Sequence, residues 1–230
     1  MMNSLRDGYR ALVLGASGAI GQAFVQALRQ DARCAHVQSV TRADPLAWDL
    51  RDPASIAALA QQLPGPWHLV VDATGALTLD GRGPEKRLPD LDAPGLLASL
   101  QVNAIGPALL LRHLAPQLAR GERVVWAKLS ARVGSIEDNH KGGWYSYRAA
   151  KAALNQLLQT AAIEISRQRP LAVFAALQPG TVKSPLSQPF VGDDAVAPEE
   201  AVRGLLAALD ALPPSGRAHF VDYAGQPIPW

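Results

Sequence analysis

Gly15-Ala16-Ser17-Gly18-Ala19-Ile20-Gly21 follows the run Arg10 to Leu14 and opens the segment Ala19 to Gln30. Arg10 to Leu14 reads as a strand, and Ala19 to Gln30 carries the apolar spacing of a helix. Glycines at the junction permit a tight turn and let another backbone or a ligand come close. The helix start offers unpaired N–H groups to an anion. Gly15, Ser17, Gly18, Ala19, Ile20 and Gly21 are therefore read as a cradle for the pyrophosphate of a dinucleotide. A strand-to-helix turn in any α/β protein is the plain alternative, and the place of this turn at the first junction separates the two.

Working outward, the pattern repeats. His36 to Thr41, His68 to Asp72, Arg123 to Leu129, Leu171 to Leu177 and His219 to Tyr223 read as strands. Between them, Pro53 to Gln62, Leu96 to Ala119, Ser146 to Arg167 and Pro198 to Leu212 read as helices, the second bent at Gly106-Pro107. Strict alternation predicts an α/β fold: a doubly wound parallel sheet with helices on both faces, three layers in one domain over residues 1–230. Ser184 to Pro198, with its Pro, Gly and Ser, is expected to form a short lid over the substrate.

The composition excludes several classes. In 230 residues, 48% are apolar and 18% charged, so the chain is globular rather than disordered or fibrous. The net charge of +2 comes from interspersed acids and bases, which argues against a nucleic-acid partner or a polybasic membrane anchor. No apolar run is read as reaching the ~20 residues of a membrane helix, and no secretory signal is seen. One cysteine, Cys34, allows no internal disulfide, and a reducing, cytoplasmic setting is expected. His36, His68, His113, His140 and His219 lack metal-ligand spacing, so no metal is expected.

Two further positions carry chemistry. The second strand ends Val40-Thr41-Arg42, without the acid that accepts from both ribose hydroxyls. The planar fork of Arg42 suits a 2′-phosphate, so NADP(H) is favoured over NAD(H), with Asp44 a rival for the adenosine ribose. Tyr147 and Lys151 lie four residues apart, on one face of the long helix. A phenol near pKa ~10 is a poor acid or base at neutral pH, and an adjacent cation favours its ionised form. Such a pair can protonate a carbonyl oxygen or deprotonate an alcohol.

The glycine turn, followed far downstream by Tyr147-Arg148-Ala149-Ala150-Lys151, resembles the short-chain dehydrogenase/reductase family over almost the whole chain. The resemblance implies a Rossmann fold that binds a nicotinamide dinucleotide. It also implies hydride transfer between NADP(H) and a small carbonyl or alcohol substrate. Asn103 resembles the family's helix asparagine, which helps hold a proton-relay water near the lysine. Asp72-Ala73-Thr74-Gly75 occupies the place of the family's Asn-Asn-Ala-Gly, keeping only the last glycine. Asp49 and Leu50 resemble the segment that meets the adenine, and Pro179, Gly180 and Val182 the stretch that closes over the nicotinamide. Lys151 is implied to hold the nicotinamide ribose and to lower the Tyr147 pKa. Gly134-Ser135-Ile136, Gly142-Gly143-Trp144-Tyr145-Ser146-Tyr147-Arg148 and Ile228-Pro229-Trp230 are similar to the C-factor-like, or sniffer-like, branch. A homodimer or homotetramer is implied, through the helices Leu96–Ala119 and Ser146–Arg167.

The chain departs from the family at one catalytic position. Counting back from Gly134, the serine that orients the substrate carbonyl is replaced by Ala131. Ser130 is one residue earlier and is expected to substitute if the strand end bulges. Otherwise Ser135 reaches in, or the site lacks the hydroxyl. A non-catalytic dinucleotide-binding protein, used in signalling or sensing, is the alternative that Ala131 favours.

Overall fold

The structure is a computed structural model that describes residues 1–43, 48–183 and 195–230. Six strands form one parallel sheet: β1 Tyr9–Leu14, β2 Cys34–Val40, β3 Leu69–Asp72, β4 Val124–Leu129, β5 Ala172–Gln178 and β6 Ala218–Asp222. Their order is β2-β1-β3-β4-β5-β6. The chain leaves β1 toward one edge and returns to its other side, so the switch point falls between β1 and β3. A ligand crevice opens there, at the carboxyl ends of the strands.

The helices are α1 Ala19–Gln30, α2 Pro53–Gln61, α3 Ala93–Leu100, α4 Gly106–Leu114, α5 Tyr145–Ser166 and α6 Pro198–Ala211. Side chains alternate across each strand. On β4, Val125, Ala127 and Leu129 join the core with Phe24 of α1 and Leu205 of α6. Val124 and Trp126 join the opposite core with Ile56 of α2, Leu110 of α4 and Leu158 of α5. β3 to β5 are buried on both faces, which explains their almost uninterrupted apolar sequence.

The bend expected at Gly106-Pro107 begins earlier. Residues Gln101–Ile105 form a π turn between α3 and α4. Pro107 has no N–H to give to the Asn103 carbonyl, and the ladder widens over the preceding turn, with the Gly106 N–H reaching the Gln101 carbonyl. This correction has a second part. The continuous helical run Ala93–Gln117, 25 residues long with an 18-residue window of mean hydropathy 1.4, has the length and composition of a membrane span, contrary to the reading of the sequence. Here it packs on the sheet, with Leu110 and Leu114 fully buried.

The lid expected over Ser184 to Pro198 lies mostly outside the described residues, as does Asp44. Its two flanks meet: the Lys183 N–H bonds to the Val196 carbonyl at 3.0 Å, and the Val196 N–H to the Thr181 carbonyl at 2.9 Å.

Candidate active site

The glycine turn is built for close approach. Gly15 has φ +76°, and a Cβ there would stand 3.0 Å from the Ala73 carbonyl and the Thr74 nitrogen. A Cβ on Gly21 would collide with the Gly15 carbonyl oxygen. These two glycines let β1, α1 and the loop after β3 converge. Gly18 is the N-cap of α1 and supplies no side-chain cap, so the first N–H groups of α1 face the crevice without a protein acceptor from the cap. Ser17 and Gly18 are exposed, Ala19 and Ile20 half-buried. The cradle fits a pyrophosphate: it offers donors at a helix start and backbone where a side chain would be in the way.

Across the crevice, Gly75 continues the loop after β3. A Cβ on it would meet Asn103 Oδ1 at 3.0 Å and Lys151 Nζ at 3.5 Å. Asn103 is fully buried and clamps that loop: its Oδ1 accepts from the Ala76 N–H, and its Nδ2 donates to the Ala76 carbonyl, both at 2.9 Å. Lys151, 3% exposed, donates to the Leu129 carbonyl at 3.1 Å. Its ammonium is 5.5 Å from the centroid of the Tyr147 ring. Gly75, Asn103, Tyr147 and Lys151 are thus brought together as the sequence suggested.

The start of α5, which carries Tyr147 and Lys151, is fixed from a distance. Glu85 accepts from the Ser146 N–H at 3.1 Å and from the Ser146 hydroxyl. The Glu85 carbonyl accepts from the Trp144 N–H. Burial raises the proton affinity of this carboxyl, but the bonds from Ser146 outweigh it and hold its pKa below the ordinary value. Gly142, Gly143 and Trp144 are all left-handed, at φ 62°, 64° and 55°. The Arg148 guanidinium ties this turn down, donating to the Gly142 and Gly143 carbonyls.

The electrostatics differ from the expectation in one respect. The Tyr147 pKa lies above its ordinary value, because burial dominates. Lys151 is held down to about 7, by burial first and then by repulsion from Lys128, against a smaller pull from Asp72. The lysine is thus only partly charged near neutrality, and the lowering implied for Tyr147 does not emerge.

The bulge expected at Ser130 is absent. The Ser130 N–H bonds to the Leu177 carbonyl at 2.8 Å, so the β4–β5 ladder continues through it without a bulge. Its hydroxyl donates to Asn155 Oδ1 at 2.7 Å, inside the sheet–α5 interface. Ser135 is also buried; it accepts from the Asp138 N–H and donates to the Trp230 carbonyl. Each hydroxyl is therefore engaged within the protein.

The remaining cofactor positions are dispersed around the crevice. Arg42 is exposed on the turn after β2. The Asp49 carboxylate accepts from the Arg51 N–H at 2.8 Å in a local turn, and Leu50 packs where Gly106 leaves room. Gly180, φ +79°, lies against the Tyr223 ring, and Val182 bridges to Val196.

Two buried residues of weight are not singled out by the motifs of the sequence. Lys128 and Asp72, 1% and 0% exposed, pair at 3.0 Å across β4 and β3. The available signal was a charged residue in each of two apolar runs, Lys128 next to the end of Val124 to Leu129 and Asp72 at the end of Leu69 to Asp72. Among the described residues, no group of three or more His, Cys, Asp or Glu could hold a metal.

The family profile described as enoyl-(acyl carrier protein) reductase matches residues 12–207. The chain belongs to the short-chain dehydrogenase/reductase family. The short-chain dehydrogenase/reductase shares 33% identity over 144 residues with C-signal of Myxococcus xanthus, 62% of this chain and 83% of that protein. It shares 30% over 186 residues with 1-hydroxy-2-glutathionyl-2-methyl-3-butene dehydrogenase of Rhodococcus sp. (strain AD45), 79% of this chain and 78% of that one. The fold matches an NADPH-bound carbonyl reductase from chicken fatty liver with TM-score 0.83 and 24% identity, covering 98% of this chain and 100% of that one. Membership in this family makes the protein an oxidoreductase.

Proposed function

We propose that this oxidoreductase reduces small carbonyl compounds with NADP(H), and that Tyr147 is its proton donor. The observation that carries the reading is the convergence of Tyr147, Lys151, Asn103 and Gly75 at the carboxyl edge of the sheet, across from the glycine cradle. When bound, the nicotinamide supplies hydride to the carbonyl carbon. Tyr147 gives its phenolic proton to the carbonyl oxygen, and the substrate leaves as the alcohol. A pKa above the ordinary value keeps that phenol protonated at neutral pH, the form reduction needs. Lys151 has protons left to donate after its bond to Leu129, and these suit ribose hydroxyls beside Gly75. Gly15 to Gly21 receive the pyrophosphate, and exposed Arg42 the 2′-phosphate.

Support for NADP(H) comes from Arg42 and from the NADPH-bound chicken reductase that shares the fold. Exposed Leu97, Ile105, Leu157 and Ile163 lie along α3, the π turn and α5, and support pairing of two copies through these helices. The test is NADPH oxidation followed by absorbance across aldehydes, ketones and quinones. Turnover that Tyr147→Phe abolishes, with NADPH binding retained in a fluorescence titration, is the expected result. Undiminished turnover in Tyr147→Phe overturns the role.

One observation favours a second reading, a dinucleotide-binding protein with a sensing role. Ala131 replaces the orienting serine, and the Ser130 and Ser135 hydroxyls are engaged by the Asn155 side chain and the Trp230 carbonyl. NADPH binding without oxidation by any member of the panel would select it.

A further inference from the structure

Lys128, the last residue but one of β4, places a cation inside the sheet, where an apolar strand has no packing reason for one. All three of its protons are placed: on Asp72 Oδ1 at 3.0 Å, the Thr74 carbonyl at 2.6 Å and the Thr74 hydroxyl at 3.0 Å. Asp72 Oδ1 also accepts the Thr74 N–H at 2.9 Å and the Thr74 hydroxyl at 2.5 Å. Asp72 Oδ2, equally buried, has no partner. The turn so fixed leads directly into Gly75, which stands against Asn103 and Lys151. Lys151 in turn is bonded to the carbonyl of Leu129, the residue after Lys128.

Among the described residues, Lys128 and Lys151 are the buried lysines, and Asp72 lies close enough to act on both. The charged or titratable groups that face Lys151 are Lys128 from β4, Asp72 from β3 and Tyr147 from its own helix; the π turn contributes neutral Asn103. A buried carboxylate pairs with whatever buried cation it can reach.

We propose that Lys128 is a positioning residue: it engages Asp72 and the Thr74 turn, and so keeps Asp72 from pairing with Lys151, whose protons stay available to the crevice. Without Lys128, Asp72 turns to Lys151 and draws its ammonium away from Gly75. The repulsion that Lys128 exerts on Lys151, and the smaller pull of Asp72, agree with this division.

The experiment uses lysine labelled at Cε and followed by NMR in the cofactor-free protein. In Lys128→Met the Lys151 titration midpoint should rise by about one to three pH units, the effect of a close opposite charge. NADPH affinity should fall about ten- to a hundredfold, the worth of one charged hydrogen bond. Adding Asp72→Asn to Lys128→Met should return the midpoint downward and restore affinity. Lys128→Gln, which keeps a donor for the Thr74 carbonyl, provides the same reading should Lys128→Met not fold. An unchanged Lys151 midpoint in the folded variants overturns the proposal. The affinity arm rests on the dinucleotide reading, whereas the titration arm does not. A wild-type protein that fails to bind NADPH sinks that reading and leaves this one to the titration.

Discussion

The Ser130 hydroxyl donates to the Asn155 side-chain oxygen across 2.7 Å, on the same face of α5 as Tyr147 and Lys151. Asn155 is one turn beyond Lys151, as Lys151 is one turn beyond Tyr147, so the serine braces the helix that carries both from the sheet. Ser130→Ala should lower stability by about 1 kcal/mol, the net value of such a bond, and leave kcat unchanged. Ala131→Ser should raise kcat about tenfold or more, a fraction of what an orienting donor is worth elsewhere. Steady-state kinetics on both variants checks this, and a large loss in Ser130→Ala would return the hydroxyl to the substrate.

Glu85 holds the first turn of α5 in place of a local cap. Its folded pKa is below the unfolded value, so its contribution is present above the unfolded pKa of about 4.3 and disappears as pH falls through the folded one. Glu85→Ala should cost about 0.5–2 kcal/mol at pH 7, the range of a lost cap. The difference from wild type should shrink below pH ~4. Thermal melts at several pH values measure it.

Lys151 has the opposite sign. Its value falls from 10.5 to about 7, so the unfolded chain binds more protons between those limits and stability from this group rises with pH there. Below pH ~7 the full cost of burying the charge remains. Lys151→Met should therefore raise Tm, most at acidic pH and least above ~10, while turnover is lost. A variant that melts lower at pH 6 contradicts the burial argument.

Arg42→Ala should weaken NADPH binding about ten- to a hundredfold, through loss of a bidentate phosphate contact, and leave NADH binding nearly unchanged. Fluorescence titrations with both cofactors decide it. Equal losses would place Arg42 outside the 2′-phosphate site.

The layers and the cradle were legible because they depend on local order: strand, glycine turn, helix, repeated along the chain. α1 was read at Ala19–Gln30, the limits it has. The Tyr147–Lys151 face followed from helical spacing alone. The Lys128–Asp72 pair was not legible, because adjacency of β3 and β4 depends on sheet order, which the pattern of apolar runs does not specify. The absence of a bulge at Ser130 was not legible for a similar reason: whether a strand bulges is settled by the hydrogen bonds of its neighbour β5, here the Leu177 carbonyl. The π turn escaped because one missing proline proton acts on residues before it rather than at the proline itself.

Ala131 has a chemical corollary. With no hydroxyl from this strand to draw electron density off the oxygen, the burden of polarisation passes to the reactant. Under the proposed reduction, electrophiles whose carbon is already electron-poor, such as aldehydes and conjugated diones, are expected to react faster than unactivated dialkyl ketones, with selectivity reflecting intrinsic reactivity as much as shape.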